Sequence, residues 1–351
     1  MHTFRHLESQ FGLVPAQTTK LLGAIDVARG RQEAFRRQNP TVLKALTEVA
    51  RIQSVDASNA IESIQAPPKR IERLVQLKTM PANRSEEEIA GYRKVLDTIH
   101  ASAPDIPFTR RVVQQFHRDL YSYTAVPGGQ FKAGPNEVEE ILPDGTKTIR
   151  FEPLSPFETP TAMDELHDHY DAAWNVNEHH RLLLVAAYVF DFLMIHPFQD
   201  GNGRMSRLLS LLALYHAEYE VGRFISLEKL ISDSRETYYE SLARSTPGWR
   251  EGRHDIWPWT NYFLGVLMAA YKDFEARAGA FGGRGQKAEL VKQFIRSSVS
   301  DSFTFDDVRQ AAPGVSDVYI GKVLRQLRDS GALRSSGSGR GARWTRLSTE
   351  L

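Results

Sequence analysis

Residues 196–207 read HPFQDGNGRMSR, and this stretch decides how the rest of the 351-residue chain is interpreted. It follows an apolar run, residues 182–195, with helical periodicity. Pro197 ends that helix, because proline disfavours helical geometry in the residue before it. A second helix is predicted from near Gly201 to about Glu218. The stretch therefore joins two core helices, and a histidine stands at its first position.

The residue types in this connection are those of a phosphate site with a base and a metal ligand. Small residues let the backbone approach a ligand closely, and the free N–H groups of a helix start attract anions. Arg204 and Arg207 add forked donors that suit phosphate oxygens. Asp200 is a hard oxygen ligand that suits Mg²⁺ bridging phosphates. His196 is a natural general base, since its ordinary pKa is about 6.5.

Each feature taken alone has a plainer interpretation. A histidine at a helix end is usually structural, glycine-rich runs are usually turns, and paired arginines usually form a solvated face. Other chemistries lack a signature in this chain. There is no cysteine, no Gly-x-x-x-x-Gly-Lys-Ser/Thr loop and no Gly-x-Ser-x-Gly elbow, and the histidine pairs lack a zinc-binding pattern.

The stretch resembles the Fic motif, His-Pro-Phe-x-Asp/Glu-Gly-Asn-Gly-Arg-x-x-Arg, with every specified position filled. The resemblance extends more weakly over about residues 40–275. In that family the histidine deprotonates a Tyr, Thr or Ser hydroxyl of a target protein, which then attacks the α-phosphate of ATP. The resemblance implies that His196 is this base, that Asp200 holds Mg²⁺ and that Phe198 packs inward to anchor the loop. The nucleotide-binding residues it implies are Gly201, Asn202, Gly203, Arg204, Arg207, Tyr238, Tyr239, Asn136, Glu137 and Val138.

A second stretch resembles the inhibitory helix of the same family, Ser/Thr-x-x-x-Glu-Gly/Asn. Ser58 and Glu62 match that pattern, whereas Ser63 stands where glycine or asparagine is usual. Serine is less suited than glycine to the left-handed conformation that ends many helices. The resemblance implies that Glu62 pairs with Arg207 and hinders productive ATP binding. The plainer interpretation is an exposed helical glutamate.

A β-hairpin is predicted at residues 136–150, where an Asp-Gly pair separates two β-prone runs. It resembles the family's flap, whose strand edge pairs with the target backbone, and residues 136–138 are the candidate edge. Tyr238 and Tyr239 are candidates for stacking on adenine, with a core tyrosine pair as the equal alternative. Thr246 stands where relatives often carry asparagine, which weakens that inference.

The chain is predicted to be mainly α: a Fic-type helical bundle with a hairpin flap and a small C-terminal winged helix-turn-helix domain. Residues 1–100 form an N-terminal helical region with the inhibitory helix. Residues 101–278 form the catalytic core, 279–286 a linker, and 287–351 the winged helix. The basic side chains of the tail make DNA or a protein a candidate partner.

Composition narrows the remaining possibilities. The formal net charge of +1 offers no argument for nucleic acid or membrane binding. No apolar run reaches the roughly 18–20 residues of a membrane span, and the N-terminus lacks a signal core. We therefore expect a cytoplasmic protein without a membrane partner, and the resemblance to the Fic family implies that it uses ATP and Mg²⁺. A homodimer stays open, since relatives often adjust the inhibitory helix through dimerisation.

The leading interpretation is a protein adenylyltransferase inhibited by Glu62. Relatives that phosphorylate their target carry a lysine in the glycine loop, where this chain has Gly203 and Arg204, so nucleotidyl transfer is favoured. Transfer of UMP or phosphocholine stays open. Two alternatives also stay open: an ATP-sensing regulator that binds DNA or a partner through its tail, and a phosphodiesterase that removes AMP.

Overall fold

The computed structural model describes residues 2–38, 40–136, 138–141, 147–279, 286–297, 302–312, 315–337 and 342–347. Up to residue 279 the regular structure is helical except for one hairpin. The helices are α1 His2–Arg5, α2 Leu7–Phe11, α3 Ala16–Gln38, α4 Pro40–Ile61, α5 Pro68–Gln76, α6 Arg84–Ser102, α7 Arg110–Leu120, α8 Thr159–Val176, α9 Arg181–Ile195, α10 Asn202–His216, α11 Leu227–Asp233, α12 Arg235–Ser245 and α13 Trp257–Gly279. Short 3₁₀ turns span Ala103–Asp105 and Val221–Arg223.

Helix α9 lies at the centre of the bundle and carries His196 at its end. Every residue from Leu182 to Ile195 is buried, because α8, α10 and α13 pack around it. A helix covered on all sides has no need of a polar face, which explains the continuous apolar run in the sequence. Because α9 is held in the core along its length, the position of its last residue fixes where the connection that begins at His196 starts.

The sequence predicts two helix caps: Thr109 in the amphipathic segment 105–123, and Ser85, which would open a capping box with Glu88. Thr109 caps α7 by accepting from the backbone of Val112, as its position predicts. The expected capping box at Ser85 is wrong. Helix α6 starts two residues earlier than a cap at Ser85 requires, because Asn83 caps it by accepting from the Glu86 N–H at 3.0 Å. An asparagine side chain serves this position as well as serine does.

The sequence also predicts a helix over residues 232–245, and α12 covers most of it, but the predicted start is wrong because residues 232–233 belong to the separate helix α11. Ser234 interrupts them, and its N–H contacts the carbonyls of Leu230 and Ile231 at 3.1 and 3.2 Å. Both segments have helical periodicity, so the sequence pattern does not reveal the break.

The predicted hairpin is present as β1, Val138–Ile141, paired antiparallel with β2, Lys147–Phe151. Glu139 lies opposite Ile149, and the register is irregular between Val138 and Glu139. Residues 142–146, which contain the predicted Asp-Gly turn, lie outside the described residues.

For the tail, the sequence predicts three helices, over residues 288–298, 305–312 and 317–330, and then two short strands around a turn at 335–341. The structure contains these elements. They are α14 Gln286–Ser297, α15 Phe305–Ala311, α16 Asp317–Asp329, β4 Leu333–Ser336 and β5 Arg343–Arg346. A further strand, β3 Ser302–Thr304, pairs with β5 and is too short for a periodicity signal. A core cluster of the tail's own side chains includes Val291, Ile320 and Leu324.

The winged-helix assignment and the predicted domain limits stay predictions, and linker residues 280–285 lie outside the described part of the chain. In the helices that the structure describes, none is long and apolar enough to cross a membrane.

Candidate functional site

His196 ends α9 in a left-handed backbone conformation, with φ 50° and ψ 60°. Such a conformation is strained for any residue with a side chain. Its ring Nδ1 lies 3.3 Å from the Leu193 carbonyl oxygen. A carbonyl only accepts, so Nδ1 carries the proton and Nε2 keeps its lone pair. Burial lowers the pKa of His196 to about 4. The imidazole is therefore a neutral base with a defined tautomer.

The connection after His196 is anchored by an aromatic stack. Phe198 is fully buried, as expected, and lies parallel to the His117 ring with centroids 3.7 Å apart. The Gly129 N–H donates to His117 Nδ1 at 2.8 Å, so Nε2 is the ring donor and bonds the Asp200 carbonyl at 3.0 Å. Burial lowers the pKa of His117 to about 4, in keeping with this neutral form. His117 thus ties the middle of the connection to α7.

Helix α10 starts with an anion-binding geometry. Gly201 has a φ of 79°, which glycine tolerates without strain. Asn202 closes the turn, because its side chain accepts from the Phe198 N–H at 2.9 Å and donates to the Phe198 carbonyl at 2.7 Å. The N–H groups of residues 202–204 have no acceptor within the described part of the chain, as expected for a first helical turn.

Asp200 is the candidate metal ligand at the edge of this helix start. Its side chain is 67% exposed, and Oδ1 accepts from the Gly201 N–H at 2.6 Å. Across the described residues, no group of three or more His, Cys, Asp or Glu side chains could hold a metal ion. A lone carboxylate still suits Mg²⁺, which commonly keeps water and takes its other ligands from substrate phosphates.

Arg207 is buried against the C-terminal end of α4. Its Nε donates to Ser58 Oγ at 2.7 Å, and its Nη2 donates to the Ser58 carbonyl and to Glu62 Oε1, each at 2.8 Å. One turn earlier, Ser54 donates to the buried carboxylate of Glu228 at 2.7 Å. Ser54, Ser58 and Glu62 recur every four residues and therefore lie on one face of α4. The structure thus brings the predicted inhibitory pair together.

The Glu62 carboxylate also covers the start of α10. A Cβ atom added to Gly203 would lie only 2.3 Å from Glu62 Oε1. The absence of a side chain at Gly203 therefore permits this approach. A carboxylate at a helix N-terminus is favoured by the helix dipole. Glu62 consequently sits where the helix start would attract a phosphate.

Arg204 has a different environment from the one expected for a phosphate ligand. Its side chain is 1% exposed, and Nη1 lies 2.8 Å from Glu88 Oε2 of α6. Its Nη2 donates to the Tyr121 hydroxyl at 2.9 Å. The guanidinium is therefore held inside the fold, and the backbone N–H is the part of Arg204 that faces the helix start.

Tyr238 lies in the core. Its ring makes edge contacts with Tyr239, Trp259 and Tyr262 at centroid distances of 5.1, 5.8 and 5.7 Å. Tyr238 and Arg207 line a cavity of about 30 Å³, room for one or two waters. Tyr239 is half-buried. In this conformation the pair matches the core alternative, and the adenine contacts stay a prediction.

Residues 136–138 are the candidate strand edge for target binding, at the point where β1 begins. Asn136 precedes β1, and its amide donates to the Phe198 carbonyl at 2.8 Å. Glu137 lies outside the described residues, and Val138 is the first residue of β1. The predicted role of this edge in target binding stays a prediction.

Several residues that shape the site were not identified from the sequence: Lys132, His117, Tyr121 and Glu88. Lys132 is buried, and burial lowers its pKa to about 8. Lysine and glutamate on a helix or loop are ordinarily surface residues, so neither carried a local signal. Each of the four residues has at least one partner 63 or more positions away in the sequence.

Part of the chain matches a known protein family. The family model described as Fic/DOC family matches residues 107–214. A protein named protein adenylyltransferase Fic, from Drosophila willistoni, is 24% identical over 203 residues, which cover 56% of this chain and 38% of that protein. The chain thus spans less than half the length of this relative.

Solved Fic structures share the fold. A Fic family protein from Desulfovibrio desulfuricans aligns with a TM-score of 0.62 and 19% identity, over 95% of this chain and 97% of that chain. A Fic domain containing signaling protein from Bacteroides thetaiotaomicron aligns with a TM-score of 0.59 and 22% identity, over 71% and 94%. Fic-1 from C. elegans aligns with a TM-score of 0.56 and 18% identity, over 74% and 72%. The family model therefore identifies a Fic domain within residues 107–214, and the solved structures show that the fold is shared.

Proposed function

We propose that this protein transfers AMP from ATP to a Tyr, Thr or Ser hydroxyl of a target protein, and that Glu62 restrains the reaction. The target oxygen forms a bond to the α-phosphorus while the bond to the bridging oxygen of the β-phosphate breaks. Pyrophosphate leaves, and the hydroxyl proton passes to Nε2 of His196. This is general base catalysis with the phosphates held by fixed donors.

One observation carries the proposal: a neutral histidine whose Nε2 keeps its lone pair stands at one end of a short connection. At the other end stands a helix start whose first N–H groups have no acceptor among the described residues. The Nδ1 contact with the Leu193 carbonyl fixes the tautomer that a base requires. The N–H groups of residues 202–204 supply donors for phosphate oxygens. A purely ATP-sensing regulator would need the second feature but has no use for the first.

Asp200 is the residue that would hold Mg²⁺ beside these phosphates. Its exposed carboxylate and its place at the helix start fit a metal whose other ligands are phosphate oxygens and water. When bound, the metal would neutralise charge that develops on the phosphates.

The restraint follows from charge and space. Glu62 takes one Nη2 contact of Arg207 and lies over Gly203. A phosphate that reached the same place would meet a carboxylate within contact distance and an arginine already engaged. ATP therefore binds productively only after Glu62 moves, and removal of its carboxylate releases the site.

The test uses wild type, Glu62→Gly, His196→Ala and the Glu62→Gly/His196→Ala double variant with α-labelled ATP, Mg²⁺ and a cell lysate. Label on protein, including the enzyme itself, should rise at least about tenfold in Glu62→Gly, equivalent to about 1.4 kcal/mol. It should vanish in both His196→Ala variants. Intact-mass analysis should show the gain of one AMP.

Folded variants, checked by circular dichroism, that give no label would overturn AMP transfer. The same samples should then be tested for removal of AMP from modified protein and for transfer from UTP. Equal label in wild type and Glu62→Gly would leave the transferase standing and remove the restraint.

A further inference from the structure

The segment of residues 132–136, which we call the loop clamp, lies against the connection that carries His196. The backbone N–H of Lys132 donates to the Pro197 carbonyl at 2.9 Å. Its ammonium donates to the Ile195 carbonyl at 3.1 Å. The amide of Asn136 donates to the His196 carbonyl at 3.3 Å and to the Phe198 carbonyl at 2.8 Å. Four consecutive carbonyls therefore each accept from one short segment, and the Phe198 carbonyl accepts from Asn202 as well.

The two clamp side chains also hold each other. The Lys132 ammonium donates to Asn136 Oδ1 at 2.8 Å, which orients the amide so that its nitrogen faces the loop. Lys132 is 4% exposed. Lysine is rarely buried unless hydrogen bonds or ion pairs offset the free energy of its desolvation. The ammonium has two acceptors: the Ile195 carbonyl at the end of α9 and Oδ1 of Asn136, whose amide nitrogen donates to the carbonyls that follow.

These contacts answer a structural need of the loop. The last carbonyls of a helix have no partner within the helix, and His196 adds a strained left-handed backbone directly after them. Without donors from elsewhere, these carbonyls would turn toward water and the backbone of His196 would relax with them. The strain persists only where surrounding contacts maintain it.

We propose that Lys132 and Asn136 are positioning residues that hold the His196 backbone, and hence its Nε2, at the place where the acceptor hydroxyl is deprotonated. The catalytic consequence rests on the proposed AMP transfer. The geometric part does not, because it concerns the orientation of the imidazole in the free protein. Misplacement of a reacting group by about 1 Å can cost about 100-fold in rate.

Asn136→Asp is the sharpest variant. It preserves the size of the side chain and gives the Lys132 ammonium a carboxylate partner, so the protein should remain folded. It replaces the amide donors by an oxygen that faces two carbonyls, so the loop should shift. In the Glu62→Gly background we expect kcat for AMP transfer to fall about 100-fold, with KM for ATP changed less than about threefold. Lys132→Met should lower kcat in the same way.

Gln130→Ala is the matched control, since Gln130 is exposed and lies two residues before the loop clamp begins. Its kcat should equal that of the Glu62→Gly parent. A change in KM for ATP without a change in kcat would overturn the proposal, because it would assign these residues to nucleotide binding.

A second readout needs no activity. In ¹⁵N-histidine-labelled protein, with His196 assigned from the spectrum of His196→Ala, the wild-type ring should show one fixed tautomer with the proton on Nδ1. In Asn136→Asp the two ring nitrogen shifts should move toward each other as tautomers average, whereas Gln130→Ala should keep the wild-type shifts. An unchanged His196 signal in Asn136→Asp would overturn the clamp even if no variant transfers AMP. Absence of label in Glu62→Gly itself, with the expected spectral change, would reject AMP transfer and retain the clamp.

Discussion

The two arginines of the motif lie three residues apart, yet their ion pairs differ in kind. Arg204 meets Glu88, and both side chains are buried, at 1% and 8% exposure. Arg207 meets Glu62 at the same N–O distance of 2.8 Å, but the Glu62 side chain is 34% exposed. Removing one partner of a buried pair leaves an uncompensated charge in the interior, which is strongly destabilising. A partner at the surface can move away and be replaced by water at a small cost in free energy. The comparison separates a structural contact from a contact that can open.

The largest expected effect is the loss of stability when the buried pair of Arg204 and Glu88 is broken. Glu88→Ala leaves the Arg204 charge inside the fold without its carboxylate, and we expect the free energy of unfolding to fall by about 3–5 kcal/mol. Urea unfolding followed by tryptophan fluorescence measures it. The matched control is Glu62→Ala, for which we expect a loss of about 1 kcal/mol or less, because solvent screens its pair. Similar losses for the two variants would contradict the distinction.

A smaller effect concerns the helix end that carries Glu62. Ser63 has a φ of 62°, its N–H bonds the Ala60 carbonyl, and the Ile64 N–H bonds the Asn59 carbonyl. These contacts form a Schellman motif with serine at the position that favours glycine. Ser63→Gly should stabilise the protein by about 0.5 kcal/mol, measured by urea unfolding, and lower wild-type AMP transfer about twofold by favouring the closed pair.

Lys78 supplies the control, since it also has a positive φ, of 50°, away from this pair. Lys78→Gly should give a similar gain in stability without a change in AMP transfer. If Ser63→Gly instead raised the transfer rate, the helix end would not support the Glu62 contact.

The smallest effect is on the pH profile. Burial is the main cause of the low pKa of His196, about 4. The nearby charge of Lys132 lowers it further, while Glu62 and Asp200 raise it. The rate of AMP transfer by Glu62→Gly should therefore hold from pH 8 to about 5 and fall as His196 takes a proton near pH 4. Loss of Glu62 removes a raising charge, so this fall should occur at lower pH than in wild type.

Glu88→Gln should leave that acid limb where it is, because Glu88 is not among the charges that act on His196. The rate measured across pH 4–8 for wild type and the two variants checks this. An acid limb that moves equally in both variants would show that Glu62 has no special relation to the base.

Much of the local structure could be predicted from the sequence. The apolar run of α9, its end at Pro197 and the new helix after Gly201 follow from periodicity and proline geometry, and the hairpin follows from alternation around a turn signal. The pairing of Glu62 with Arg207 was expected only through a family resemblance. Capping at Asn83 and the break at Ser234 were missed, because several residue types serve each boundary.

By itself, the sequence determined which residues form the connection and which chemistry they offer, since both follow from residue types at fixed short spacing. Only the tertiary structure decided that Arg204 turns inward to Glu88, that Arg207 faces Glu62, and that Lys132 and Asn136 hold the loop carbonyls. Their partners come from helices and loops 60 or more positions away. The free energy of such contacts depends on burial and on what else lies nearby, which no local pattern records.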